Sequence, residues 1–177
     1  MKREMSNEDN VDNCEITPLT MAVLRKENKD GTFNTFVMEE IREYVIKTTP
    51  TKVIDSACRF FGSTLEGRLQ GTKDISNITH KAPITIDPSS GMYFLPTASP
   101  KNEKCSWIAH SHIEHIYPKN NHRKTQILFK NGKNIIVDVS YGSMLNQIQR
   151  TAQFRYLLDT RMGIIRSIVH KKRKKEK

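Results

Sequence analysis

Four side chains that could ligate a metal fall within a short stretch: Cys105, His110, His112 and His115. On a strand, His110 and His112 would share one face, and zinc favours thiolate and imidazole ligands in a tetrahedral array. The spacing C-x4-H-x-H-x2-H is not that of a zinc site, and histidines beside sheets more often serve as hydrogen-bonding residues. Neither a metal nor any other cofactor is therefore expected. Cys58 stands next to Arg59, whose charge could lower a thiol pKa and make a nucleophile. On the helix predicted there it lies at the edge of the apolar face, where a small buried hydrophobe is the expectation. The chain has no G-x-S-x-G, no H-E-x-x-H, no Walker loop and no glycine-rich dinucleotide loop, so it does not read as an enzyme.

Charge is the stronger signal. The 177 residues carry a formal net charge of +10. Residues 1–55 hold 8 Lys/Arg against 11 Asp/Glu, residues 56–165 hold 14 against 7, and residues 166–177 hold 7 against 1. An excess spread through the middle of the chain and concentrated again in the last residues suits a polyanion, because each neutralised phosphate releases counterions. The tail His170-Lys171-Lys172-Arg173-Lys174-Lys175 lacks aromatics, so it offers charge without base stacking. No run of about 18 apolar residues exists to span a membrane, and the basic start has no apolar segment behind it. Three widely spaced cysteines, Cys14, Cys58 and Cys105, build no disulfide framework. A cytoplasmic protein without a membrane partner is expected.

The elements that must position these residues are short. Phe129-Lys130-Asn131-Gly132-Lys133 predicts a hairpin on a two-residue type I′ turn, pairing 125–129 with 134–139. A helix follows, capped by Ser140 or Ser143, with Met144, Leu145, Ile148, Ala152 and Tyr156 as its apolar face. Ser143, Gln147 and Arg150 are expected on the opposite, polar face. Upstream, strands are predicted over 20–24, 32–38 and 42–48. A helix capped by Thr51 follows, carrying Val53, Ile54, Ala57, Cys58 and Phe61 and ending at Gly62. The glycines of 63–72 predict a loop with a short helical turn, and 75–86 an extended stretch. Strands are expected at 92–95, 107–109 and 113–117, and the apolar cluster at 162–169 predicts a terminal helix.

Setting Arg59 on Arg150, an offset of 91 residues, aligns a strand-strand-helix pattern without gaps. The fold class is thus α+β, mainly antiparallel hairpins with a helix after each set, in a duplicated β-β-α unit (20–62 and 111–153). Residues 1–18 are expected to be a disordered lead-in anchored only by Cys14 and Ile16. Residues 19–162 would form one compact domain, and 163–177 the terminal helix and basic tail.

Many short motifs fall in a familiar order: Cys58-Arg59-Phe60-Phe61-Gly62-Ser63, Ile78-Thr79-His80-Lys81-Ala82-Pro83-Ile84, Asp87-Pro88-Ser89, Phe94-Leu95-Pro96-Thr97, Cys105-Ser106-Trp107-Ile108, Phe129-Lys130-Asn131-Gly132-Lys133, and Asn146-Gln147 with Arg150-Thr151. Over roughly residues 19–162 the chain resembles the ComK family of competence transcription factors from Gram-positive bacteria. The resemblance implies a nucleoid-associated activator of DNA-uptake genes that binds AT-rich double-stranded DNA as a homo-oligomer. It also implies RNA polymerase and a proteolytic adaptor as partners. The chain departs from longer relatives after Arg150-Thr151, where a lysine-rich stretch replaces the segment on which adaptor-directed proteolysis would depend. The composition alone equally suits a non-specific nucleic-acid binder.

Both readings place the contacts on basic side chains. The candidates are Arg59, Arg68, Lys81, Arg123, Lys124, Lys130, Lys133, Arg150 and Arg155, with Lys171, Lys172, Arg173, Lys174 and Lys175 in the tail.

Overall fold

The computed structural model describes residues 4–5 and 15–175. Its frame is an antiparallel sheet of six strands: β2 (Thr20–Glu27), β3 (Phe33–Glu39), β4 (Glu43–Ile46), β5 (Ile84–Asp87), β6 (Met92–Pro96) and β7 (Trp107–Ala109). The two-residue β1 (Glu4–Met5) adds in parallel to β4, giving the order β1-β4-β3-β2-β7-β6-β5. A second sheet, order β10-β9-β8, is formed by β8 (Ile113–Lys119), β9 (Lys124–Phe129) and β10 (Asn134–Val137).

Strand alternation sends side chains of the large sheet into two cores. Val23, Val37, Phe94 and Trp107 point to one face, where α1 (Pro50–Phe60) contributes Val53, Ile54, Ala57 and Cys58 and α2 (Leu65–Ser76) contributes Leu65. Ala22, Met38, Leu95 and Ile108 point to the other face, against Ile116, Ile127, Phe129 and Val137 of the small sheet and Met144 of α3 (Tyr141–Lys175). The layers are therefore helices, large sheet, small sheet. The Trp107 indole donates to Thr51 Oγ1 at 3.3 Å, tying α1 to β7.

Several local expectations are corrected. Thr49, not Thr51, caps α1, accepting from the Lys52 amide, and Pro50 opens the helix as its first residue, where a missing N–H costs nothing. Phe61 caps the end of that helix and is exposed rather than core. Residues 63–72 are not a loop, because Thr64 accepts from the Gly67 amide at 3.0 Å and starts the twelve-residue α2. Burial of Leu65 and Thr72 outweighs the cost of Gly67 and Gly71. The extended stretch foreseen from residue 75 begins only at Ile84, since α2 runs to Ser76 and Asn77 closes it at φ +60°. The strand foreseen over 42–48 is confined to Glu43–Ile46.

The β9–β10 hairpin forms, but Leu128 rather than Phe129 lies opposite Asn134, and the strand foreseen over 134–139 ends at Val137. The turn differs accordingly. The Phe129 amide donates to Lys133 O, the Gly132 amide to Phe129 O, and Gly132 has φ +86° while Asn131 is not left-handed. This is a three-residue loop, a type I turn closed by a left-handed glycine. Of the lead-in, Ile16 is buried in the core beside α1, as anticipated for an anchor. Cys14 and most of residues 1–14 lie outside the described residues.

The two halves share an element order. β4 and β10 begin 91 residues apart, at 43 and 134, and α1 and α3 likewise at 50 and 141. Thr35 and Thr125, both fully buried in the middle strands, donate Oγ1 to Thr48 O at 2.7 Å and Val139 O at 2.8 Å, acceptors also 91 apart. The threonines themselves are 90 apart because the second hairpin loop is one residue longer.

Candidate nucleic-acid interface

Five of the fourteen basic candidates are engaged by the fold. Arg59 Nε is 2.9 Å from Asp55 Oδ2, one turn back on α1. Arg68 Nη2 donates to Ile86 O at 2.9 Å and pins β5 to α2. Arg155 lies over the Tyr93 ring at 5.0 Å, and the Tyr93 hydroxyl donates to Asp159 Oδ1 at 3.3 Å. Burial, and then the Asp159 carboxylate, push the Tyr93 phenol up to about 12, so this set is a neutral clamp of α3 on β6. Lys133 Nζ sits 3.2 Å from Glu43 Oε1 and 3.5 Å from Glu39 O, bracing the second hairpin against the β3–β4 turn.

The helix face expected to be polar and open is the one turned inward. Gln147 is 5% exposed, and its amide donates to Lys81 O at 2.9 Å and Pro96 O at 3.0 Å. Arg150 donates to Gln147 Oε1 at 2.9 Å and to His80 O at 2.6 Å. Met144, Gln147, Thr151 and Phe154 form the buried stripe, whereas Leu145, Ala152 and Tyr156 are exposed. The apolar face is thus rotated from the predicted one, and the carbonyls of the loop before β5 and of β6 receive their donors from Gln147 and Arg150. Arg150 is engaged as a structural clamp.

The metal-like cluster is not assembled. Cys105 is buried at 3.5 Å from Ala98 O, and burial raises its thiol pKa, which leaves it inert. His112 Nε2 is 2.7 Å from Pro18 O and its Nδ1 3.3 Å from Glu40 Oε1, while His115 stacks on Tyr117 at 4.7 Å. Among the described residues no three His, Cys, Asp or Glu side chains are grouped to hold a metal ion. Cys58 is fully buried in the α1 core.

What stays open is the outer face of the small sheet. Inward residues Ile116, Thr125, Ile127, Phe129 and Val137 fill the core, so alternation turns His115, Tyr117 and Lys119 of β8, Lys124, Gln126 and Leu128 of β9, and Asn134 and Ile136 of β10 to solvent. Tyr117 is 44% and Ile136 60% exposed. Register sets Lys119 beside Lys124 and lines up Tyr117, Gln126 and Ile136 across the sheet. Arg123 is exposed in the turn between β8 and β9, where Asn120, Asn121 and His122 are all left-handed and the Tyr141 amide, opening α3, donates to His122 O at 3.0 Å. Lys130 is exposed in the turn at the opposite end of β9. A strand of six residues spans roughly 20 Å, so cations flank the two ends of a face about six base-pair steps long. No acidic side chain lies within ion-pair distance of Lys119, Arg123, Lys124 or Lys130 among the described residues.

Of the remaining candidates, Lys81 is exposed at φ +47° beside the Gln147 clamp, and Lys171, Lys172, Arg173 and Lys174 are exposed in the last turns of α3, which Lys175 closes. Arg123, Lys124 and Lys130 of the sequence candidates fall at this open face, which also carries Lys119, Tyr117, Gln126 and Asn134, none of them singled out from the sequence. Their period-two alternation between strand ends was the available signal.

Three comparisons bear on this arrangement. The chain is 35% identical over 145 residues to the "Competence transcription factor" of Bacillus subtilis (strain 168), covering 82% of this chain and 74% of that protein. No solved structure matches it. No helix is long and apolar enough to cross a membrane among the described residues. The family described as "ComK protein" matches residues 11–163, which takes in β2 to β10, α1, α2 and the packed part of α3, and the chain belongs to that family.

Proposed function

We propose that this ComK-family chain is a DNA-binding transcriptional activator of competence genes, and that the open face of the small sheet is its DNA-contacting surface. The observation that carries the reading is an uncovered sheet face with aromatic and amide side chains along it and unpaired cations at its two ends. Sheets can lie in a DNA groove and present alternate side chains to base edges while the flanking cations hold phosphates. Lys119, Arg123, Lys124 and Lys130 supply the phosphate contacts. Tyr117, Gln126 and Asn134 are the sequence-reading groups, and Gln126 Nε2 already donates to Asn134 Oδ1 at 3.1 Å, which fixes both amides. Preference for AT-rich elements then arises from groove shape together with these few side chains. The chain acts as a homo-oligomer and engages RNA polymerase as an activator must; a transcription factor is not an enzyme class.

A second reading, a non-selective binder, is favoured by the exposed cations at the end of α3. A salt titration of binding to two duplexes of equal length, one with phased A/T tracts and one G·C-rich, separates them. Both affinities fall as salt rises. The activator reading expects an A/T advantage of about a hundredfold near physiological salt, retained when residues 166–177 are removed. Superimposed curves, or an advantage that vanishes with the tail, would sink it.

A further inference from the structure

A cleft of about 520 Å³, the size of a small-molecule site, opens beside α2. One wall is a stripe of that helix, Glu66, Leu69, Gln70 and Lys73, whose spacing puts them on one face. The loop from Ile78 to Ala82 forms the second wall, and Ser99, Pro100 and Lys101 of the β6–β7 connection the third. Leu69, Ile78, Ala82 and Pro100 give it an apolar lining, and Ile78 and Ala82 are anchored in the core cluster of Tyr93 and Phe154. Lys73, Lys81 and Lys101 line the same cleft, all exposed, and none has a carboxylate within ion-pair distance among the described residues. Glu66 is the one acid in the lining, so three lysines against one glutamate leave two positive charges in excess. The wall carrying Lys81 is preformed. His80 O accepts from Arg150 at 2.6 Å and Lys81 O from Gln147 at 2.9 Å, and between these clamps Lys81 holds φ +47°, a left-handed backbone uncommon for a long side chain. Such a conformation persists only where its surroundings impose it, and strain of this kind collects at ligand sites.

We propose that this cleft binds a small organic phosphate, a monoester with an apolar body. A phosphate monoester carries close to two negative charges at neutral pH, which matches the excess of lysine over Glu66, and its oxygens accept charge-assisted hydrogen bonds from ammonium groups. The apolar body covers Leu69, Ile78, Ala82 and Pro100. Inorganic phosphate would leave that lining wet, and a neutral body would leave the lysines without a counter-ion. A duplex fits less well, because each of its phosphates carries a single charge and its apolar surface is stacked away inside the helix. The cleft is also placed apart from the face assigned to DNA. Its helix, α2, packs on the side of the large sheet that carries Val23 and Trp107, whereas the small sheet covers the side that carries Ala22 and Ile108. The phosphate site therefore stands independently of the DNA-binding reading.

The test is an NMR titration of the full chain with phenyl phosphate, inorganic phosphate and phenol at constant ionic strength, repeated on a Lys73→Gln/Lys101→Gln variant. Phenyl phosphate should saturate with a dissociation constant of about 1 mM or below and shift the amides of Leu69, Ile78 and Ala82. Inorganic phosphate and phenol, each half of the probe, should bind at least about tenfold more weakly. The variant should bind phenyl phosphate about tenfold or more weakly at an unchanged unfolding midpoint, as the loss of charged hydrogen bonds implies. An A/T duplex added to the native complex should leave phenyl phosphate in place. Absence of binding overturns the proposal, as does a variant that binds like the native chain. Inorganic phosphate held as tightly as phenyl phosphate means an adventitious ion only, and phenol held as tightly means that the lysines grip nothing; either overturns it. Displacement by the duplex assigns these lysines to the DNA interface and overturns it too. Phenyl phosphate bound by a chain without A/T preference refutes the DNA reading and leaves the cleft standing.

Discussion

Replacing Gln147 by alanine removes two donors and one acceptor from a buried site. The amide Nε2 serves Lys81 O at 2.9 Å and Pro96 O at 3.0 Å, and Oε1 receives Arg150 Nη1 at 2.9 Å. Alanine therefore orphans two carbonyls in the loop before β5 and at the end of β6, and frees one guanidinium N–H. At about 1 kcal/mol for each net bond, and more where the remaining group stays dry, the loss is about 2–4 kcal/mol. For a domain of this size that lowers the unfolding midpoint by roughly 4–16 °C. Gln147→Glu tests the polarity rather than the volume. One carboxylate oxygen would keep the Arg150 Nη1 contact, which lowers the pKa, while the other would face two carbonyl oxygens; burial and that repulsion outweigh the guanidinium and raise its folded-state pKa above the ordinary 4.3. The folded form then binds the proton more tightly than the unfolded one. The defect is fully present above the raised pKa and shrinks as pH falls through it, since the acid form can donate to one carbonyl.

Urea melts at pH 7 and pH 4.5, with DNA affinity per folded molecule measured in parallel, check both. The expected pattern is a large stability loss, partial recovery of the glutamate variant in acid, and unchanged affinity for A/T duplex. A Gln147→Ala stability within about 0.5 kcal/mol of native refutes the clamp. Loss of affinity with intact stability would return this face of α3 to the DNA interface.

Three other outcomes follow from the same geometry. Lys119→Ala/Arg123→Ala/Lys124→Ala should leave stability within about 0.5 kcal/mol and reduce the slope of log affinity against log salt by about 2–3, whereas Lys133→Ala, whose charge is spent on Glu43, should hardly change the slope. Burial first, then Arg155 and Lys130, hold the His110 imidazole below its usual 6.5. The unfolded chain takes up that proton first, so stability falls as pH drops below about 6.5 and levels off once the folded group titrates; the slope in denaturation midpoint between pH 7 and 5 should be smaller in His110→Gln. Gly132→Ala meets no neighbour within 4 Å but must adopt φ +86°, costing about 1 kcal/mol in urea melts without affecting the rest of the hairpin.

The sequence made the strands legible wherever alternation or an uninterrupted apolar run was strong, as in Met92–Leu95, Trp107–Ala109 and the β9–β10 pair. It was misleading where a tertiary partner overruled a local preference. Gly67 and Gly71 argued for a loop, yet the Thr64 cap and the burial of Leu65 made a helix. Asn-Gly argued for a two-residue turn, yet the register chosen by Ile127 and Val137 needed a third loop residue. Periodicity gave α3 its helical character but not its rotation, since hydropathy places Gln147 outside while two unsatisfied carbonyls demand it inside. For the interface, charge alone could not tell Lys124, open on the sheet, from Lys133, Arg68 or Arg150, each engaged by a carbonyl or carboxylate that only the fold brings near.

The stacking of the two strand-strand-helix units explains why one face is left open. In the first unit α1 covers the side of β2 and β3 carrying Val23 and Val37. The side carrying Ala22 and Met38 needs another cover, and the second unit supplies it with the face that its own helix also caps, through Ile116, Ile127 and Met144. Stacked in that order, each inner face is sealed by the next layer, and the last surface in the series, the outer side of β8, β9 and β10, has no unit left to seal it. A solvated face of an antiparallel sheet ordinarily carries polar side chains along its whole width. Here the charge is confined to the strand ends and to one cross-strand pair, and the middle holds Tyr117, Gln126, Leu128, Asn134 and Ile136. That distribution suits the proposed function, in which cations at the strand ends meet phosphates and the amides between them meet the hydrogen-bonding base edges of a groove.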